Sequence, residues 1–159
     1  MAQGIDVTVA AVIERDGRFL LVEELVSGRA VFNQPAGHLE PNESLIEAAI
    51  RETREETGHT FEPSHVVGIY QWHSPEAGTT FLRVAFCGPA DAPAKPSPLD
   101  DGIIGFHWLT AAELKRRSRQ LRSPMVLRCL DDYVAGVRYP LDVVAHITRA
   151  VTAQAAARA

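Results

Sequence analysis

Between Gly37 and Gly58 the chain reads GHLEPNESLIEAAIRETREETG. Ser44 with Glu47 three residues on is a capping-box signature and Gly58 supplies a C-terminal stop, so a helix is expected between them. At about 100° per residue, Glu52, Glu55 and Glu56 fall within one arc of about 100° on that helix. Three like charges on one face repel each other, and Arg51, one turn before Glu55, offsets only part of that repulsion. A divalent cation would resolve the conflict, and an all-oxygen set of carboxylates suits magnesium, manganese or calcium better than zinc or copper. The opposite arc, Ile46, Ile50, Thr53 and Thr57, is expected to pack on a sheet and so fix the acidic face on the protein.

A glutamate-rich helix alone is more often a solvated charged face. The loop in front of it changes the balance. In NQPAGHLEPNES, residues 33–44, Gly37 follows a short strand where the missing side chain lets backbone approach a metal or phosphate, and Glu43 precedes Arg51 by two turns.

Outward from this core, DVTVAAVIE (6–14) and RFLLVEEL (18–25) are β-rich runs separated by Arg15-Asp16-Gly17, a hairpin signal. Further strands are expected around Val31–Pro35, His65–Trp72 and Thr79–Gly88, the last alternating Phe81, Arg83, Ala85 and Cys87 against Thr80, Leu82, Val84 and Phe86. The stretch PADAPAKPSP, residues 89–98, reads as an exposed loop, followed by a short strand near Phe106–Leu109. A helix opened by Thr110-Ala111-Ala112-Glu113 and another starting at Ser123-Pro124 complete the elements. The tail AQAAARA is expected to fray from about residue 150. This order indicates an α/β (α+β) fold, a mixed β-sheet sandwiched between helices, and the length of 159 residues suits one domain over 1–159.

Composition narrows the class. With 46% apolar and 23% charged residues and no apolar run long enough to cross a bilayer, a soluble protein with no membrane partner is expected. The first residues carry no export signal, so the expected location is cytoplasmic. Cys87 and Cys129 lack the spacing of a zinc site and are expected to be reduced core residues. A net charge of −4 argues against a nucleic-acid polymer as partner but leaves room for a small anionic ligand. Monomer and homodimer are both open.

The segment resembles the box of the Nudix family, G-x(5)-E-x(7)-R-E-U-x-E-E-x-G-U with U a bulky aliphatic residue. Gly37, Glu43, Arg51, Glu52, Glu55, Glu56 and Gly58 match it, whereas Thr53 and His59 occupy the U positions. The similarity extends from about Val7 to Val144, with NQPAGHLE, QWHSPE, FLR, LRSP and RYPL similar to segments of phosphatases of that family. The resemblance implies magnesium, or manganese, held by Glu52, Glu55, Glu56 and the Gly37 carbonyl. It further implies hydrolysis of nucleoside tri- and diphosphates and of hydroxymethylpyrimidine pyrophosphate, with release of phosphate. Glu52 is the first candidate for accepting the proton of water, Arg51 for orienting Glu52, and Glu43 for structural support.

Candidates for substrate contact are Arg83, Arg122, Trp72 and His38. A guanidinium holds phosphate by paired hydrogen bonds and an indole face stacks on a ring. Each has a plainer reading: a core tryptophan, solvated arginines, an exposed loop histidine. The basic run KRRSRQLR, residues 115–122, could attract polyphosphate or merely balance an acidic chain. Two other functions remain open. One is a pyrophosphatase of ADP-ribose or another substituted nucleoside diphosphate, for which Pro75 is the only hint. The other is a non-catalytic nucleotide-binding module, which would be expected to have lost box carboxylates.

Overall fold

The structure is a computed structural model that describes residues 4–93, 95 and 98–147. The tail expected to fray lies outside the described residues. Strands β1 (Ile5–Val12), β2 (Glu14–Arg15), β3 (Arg18–Val26), β4 (Arg29–Asn33) and β5 (Ala36–His38) precede helix α1 (Leu45–Thr57). Then come β6 (Thr60–Phe61), β7 (His65–Ser74), β8 (Thr79–Cys87), β9 (Ala90–Asp91), β10 (Ile103–Thr110), α2 (Ala111–Arg116), α3 (Met125–Val134) and β11 (Tyr139–Pro140).

β1 sits inside a mixed sheet of order β11-β7-β8-β1-β5, parallel to β8 and antiparallel to β5. Because successive side chains of a strand point to opposite faces, β1 and β8 feed two separate cores. Ala10, Val12, Ala85 and Cys87 join Val126, Cys129 and Leu130 of α3 on one face. Val9, Ala11, Val84 and Phe86 join Ala48 and Ala49 of α1 on the other. The sheet is therefore covered on both faces by helices, which is why its strands read as continuous apolar runs. A second sheet, β10-β3-β2 with β4 also paired to β3, supplies Leu20 to one core and Phe19 and Leu21 to the other.

The expected hairpin turns at Asp16 and Gly17, both with positive φ, 52° and 74°. α1 is bounded as its caps dictate: Ser44 Oγ accepts from the Glu47 N–H, the Glu47 carboxylate accepts from the Ser44 N–H, and Gly58 closes the helix at φ 73°. α2 opens with the same reciprocal pair, Thr110 and Glu113.

Two expectations are corrected. The inward face of α1 is wider than the arc Ile46, Ile50, Thr53 and Thr57: Thr53 and Thr57 are buried as expected, Ile46 and Ile50 only partly, and Ala48, Ala49 and Glu56 itself are buried as well. The Pro-rich stretch is not wholly loop, because Ala90 and Asp91 pair with Phe61 and Thr60. The polar residues at the two aliphatic box positions are accommodated without orphaned groups. Thr53 donates its hydroxyl to the Ala49 carbonyl, 2.8 Å away. His59 is buried between the edges of Phe106 and Trp108, with Nδ1 3.1 Å from the Thr57 carbonyl. Burial holds its imidazole below the usual pKa, so it serves as a neutral aromatic anchor.

Candidate active site

The acidic face of α1 shows a gradient of burial. Glu55 has a side chain 38% exposed, Glu52 12%, and Glu56 only 6% as a whole residue. Glu56 lies under the β4–β5 turn, where its carboxylate accepts the Ala36 N–H at 2.8 Å. Burial there, helped by the nearby Glu52, Glu24 and Asp100 charges, pushes its pKa up to about 9. Burial also raises Glu52, against the pull of Arg51.

Arg51 is the hub that ties Glu43, Glu52 and Glu55 together. Its Nε and Nη2 donate to the two oxygens of Glu43 at 3.0 and 2.7 Å, a paired fork. Nη1 donates to Glu52 at 2.8 Å and to Glu55 at 3.0 Å, and Nη2 also reaches the His38 carbonyl at 3.0 Å. These bonds raise the guanidinium pKa further, so the cation is permanent. Glu43 in turn accepts the Glu40 N–H, which ties the loop before the helix to the same hub.

Gly37 pairs with Val9 at the edge of the mixed sheet. A Cβ built on it would collide with the Glu52 carboxyl group. The Glu52 carboxylate thus occupies the space a side chain at position 37 would take, and would have to swing aside to admit one. Gly37→Ala is expected to lower kcat/KM at least about tenfold by displacing Glu52, since small misplacements of reacting groups are costly. Steady-state rates beside a melting curve check this, and an unchanged rate in a folded variant would show that Glu52 tolerates displacement.

A residue that sequence reasoning missed also reaches the acidic face. Glu52, Glu55 and Asp100 present carboxylate oxygens within 4.8 Å of one another. Asp100 follows the Pro-rich stretch and is held there by its own N–H donating to the Glu55 carbonyl at 3.2 Å. Its sole sequence trace is the Asp100-Asp101-Gly102 turn, which carries no chemistry of its own.

The proposed substrate contacts gather around one cavity of about 180 Å³, lined by Thr8, Glu24, Asn33, Ala36, Gly37, His38, Trp72, Phe81, Arg83, Arg122, Ser123 and Met125. Arg83 is not solvated. It is 4% exposed and donates to the side-chain oxygens of Gln34 at 3.2 Å and Asn33 at 3.3 Å. Trp72 is half-buried and stacks on its cross-strand partner Phe81, ring centroids 5.9 Å apart. Arg122 lies 3.6 Å from Glu24, placed there because its N–H pairs with the Phe32 carbonyl of β4. His38 stands at the rim, exposed, 3.5 Å from Asp6. The basic run 115–122 does not form one patch: Lys115 pairs with Asp131 at 3.0 Å and Arg117 covers the Phe32 ring.

A carboxylate helix, a glycine held open for a carboxylate, and an adjoining polar cavity are the parts of a metal-assisted phosphohydrolase. The model of the NUDIX domain matches residues 3–129. This chain belongs to the Nudix family. Phosphatase NudJ of Escherichia coli strain K12 is 44% identical over 138 residues, 87% of this chain and 89% of that protein. Phosphatase NudJ of Shigella boydii serotype 4 shows the same identity and coverage. A solved Nudix hydrolase from Nitrosomonas europaea superposes with a TM-score of 0.88 at 46% identity, covering 91% of this chain and 98% of that one. The chain is accordingly a Nudix hydrolase, an enzyme acting on acid anhydrides in phosphorus-containing compounds. Among the described residues no helix is long and apolar enough to cross a membrane.

Proposed function

We propose that the chain is a magnesium-dependent phosphohydrolase, active with manganese, that releases orthophosphate from nucleoside tri- and diphosphates and acts on hydroxymethylpyrimidine pyrophosphate. The observation that carries the metal reading is the buried Glu56 beside Glu52 and Gly37. A carboxyl group so deep, with one backbone donor, is costly to ionise unless a cation joins it. The donor set is all oxygen, as magnesium requires.

Glu52, Glu55, Glu56 and the Gly37 carbonyl would hold the metal, with Asp100 as a further carboxylate from the opposite loop. When bound, it neutralises phosphate oxygens and lowers the pKa of attacking water. The chain supplies the rest. Arg51 fixes Glu52 and Glu55 in one geometry, and Glu43 holds Arg51. Glu52, raised by burial yet tethered, is the proposed acceptor of the water proton. Substrate enters from the cavity side, past Trp72, His38 and Arg122.

The product decides between orthophosphate and pyrophosphate release, and the phosphatase relatives at 44% identity support the former. Phosphorus NMR of a nucleoside triphosphate digest, without added pyrophosphatase, is expected to show orthophosphate first and nucleoside diphosphate as a transient substrate. Pyrophosphate as the main early product would refute this register.

A further inference from the structure

Arg83 sits on β8, the strand held between β7 and β1 in the mixed sheet, across from Thr8 of β1. Its two terminal nitrogens go to amide oxygens of consecutive buried residues, Nη1 to Gln34 at 3.2 Å and Nη2 to Asn33 at 3.3 Å. Nε is buried without an oxygen partner, and the Cys129 thiol lies against the guanidinium. Among the described residues, the groups bonded to this cation are therefore neutral. A buried charge answered only by neutral groups is costly, and an apolar side chain would pack there more cheaply. The two amides that it holds show what it does.

Asn33 ends β4 in one sheet and Ala36 opens β5 in the other, so Gln34-Pro35 is the whole link between the sheets at this point. Pro35 has no N–H with which to pin that link. Side chains do so instead: Gln34 and Asn33 accept from Arg83, and Gln34 Nε2 donates to the Val126 carbonyl of α3 at 2.8 Å. The next two residues belong to the site. The Ala36 N–H reaches Glu56 at 2.8 Å, and Gly37 lies so close to the Glu52 carboxyl group that no Cβ fits between them. How Gly37 and Ala36 meet the two glutamates thus depends on how the link is held. A strand paired on both sides is a rigid post from which to hold it.

We propose that Arg83 is a positioning residue for the metal site, which clamps Asn33 and Gln34 so that Ala36 and Gly37 meet Glu56 and Glu52 in ligating geometry, and that it does not touch the substrate. The inference rests on the phosphohydrolase reading above and deepens it. Its sign distinguishes it from plain electrostatics. A cation near a cation site repels the ion, so deleting Arg83 for its charge alone would tighten metal binding. Deleting a clamp weakens it.

Metal binding is measured apart from turnover: manganese(II) is titrated into the metal-free protein and the free ion is followed by its electron paramagnetic resonance signal. Melting curves verify that each variant is folded. Arg83→Met is expected to weaken manganese binding at least about tenfold, the scale on which groups that orient metal ligands act. Gln34→Met is expected to weaken it about three- to tenfold, and the double variant no more than about twofold beyond Arg83→Met, because both changes open one clamp. Arg83→Lys, which restores one donor head, is expected to recover part of the affinity. With saturating magnesium and a nucleoside triphosphate, Arg83→Met should lower kcat and leave KM within about twofold. Manganese bound as tightly or more tightly by folded Arg83→Met would overturn the proposal, as would losses that multiply in the double variant. So would a raised KM with kcat intact, the mark of a substrate contact. If Arg83→Met does not fold, Gln34→Met decides, and unaltered manganese affinity there would sink the clamp. No manganese binding by the unaltered protein would refute the metal reading itself, an outcome distinct from variants that match a protein that binds.

Discussion

Excess EDTA is expected to abolish turnover, and magnesium or manganese to restore it, because two carboxylates of α1, Glu52 and Glu55, and a third from Asp100 present oxygens within 4.8 Å of one another. The same arrangement makes a second, independent expectation about stability. Glu56 has a folded-state pKa of about 9 against an ordinary 4.5. Between those values the folded protein keeps a proton that the unfolded chain has lost, so stability falls as pH rises. The contribution is full below pH 4.5, declines through the interval, and is gone above about 9. Glu52, raised in the same direction by burial, adds to the slope. A cation that binds only the ionised, folded site opposes this trend. Melting temperatures with and without magnesium should therefore diverge as pH rises from 5 to 9. Full activity in excess chelator, or a magnesium effect that shrinks with pH, would contradict the metal assignment.

How much of this was legible in sequence follows from which forces act locally. Ser44, Glu47 and Gly58 determine the ends of α1 through bonds within three or four residues, so the helix and the spacing of its glutamates could be read directly. The pairing of Arg51 with Glu43, Glu52 and Glu55 follows from the same helical spacing together with the loop that precedes it. Asp100 could not be read. Its position depends on one backbone bond to Glu55, forty-five residues away in a segment without periodicity. β9 escaped for a similar reason: two residues carry no alternation, and only their pairing with Thr60 and Phe61 makes them a strand.

Arg83 is the more instructive case. Alternation along β8 places it on one face with Phe81, Ala85 and Cys87, but alternation says nothing of what covers that face. In the structure α3 covers it, and the LRSP segment, drawn in by the Phe32 and Leu121 bridge, closes the side. A residue that reads as solvent-facing by type is therefore enclosed by contacts made between distant parts of the chain. The same closure places Ser123 and Arg122 in the cavity wall.

Glu56→Gln is expected to lower kcat at least about a hundredfold, and saturating magnesium should not recover it. The substitution keeps shape and keeps an amide oxygen able to accept the Ala36 N–H, so the loop over the helix should stay in place. What it removes is the negative charge at the most buried of Glu52, Glu55 and Glu56. For the same reason the variant without metal should be more stable than the unaltered protein at pH 8. It no longer requires a carboxylate to ionise in a buried setting, and its advantage should vanish near pH 5, where Glu56 is protonated anyway. The pair of measurements separates function from folding. A disrupted structure would lose activity and stability together, whereas a lost ligand exchanges one for the other. Turnover close to normal at saturating magnesium would show that Glu56 is not a metal ligand. Equal loss of stability at both pH values would show that its carboxylate is held by the fold rather than by the cation.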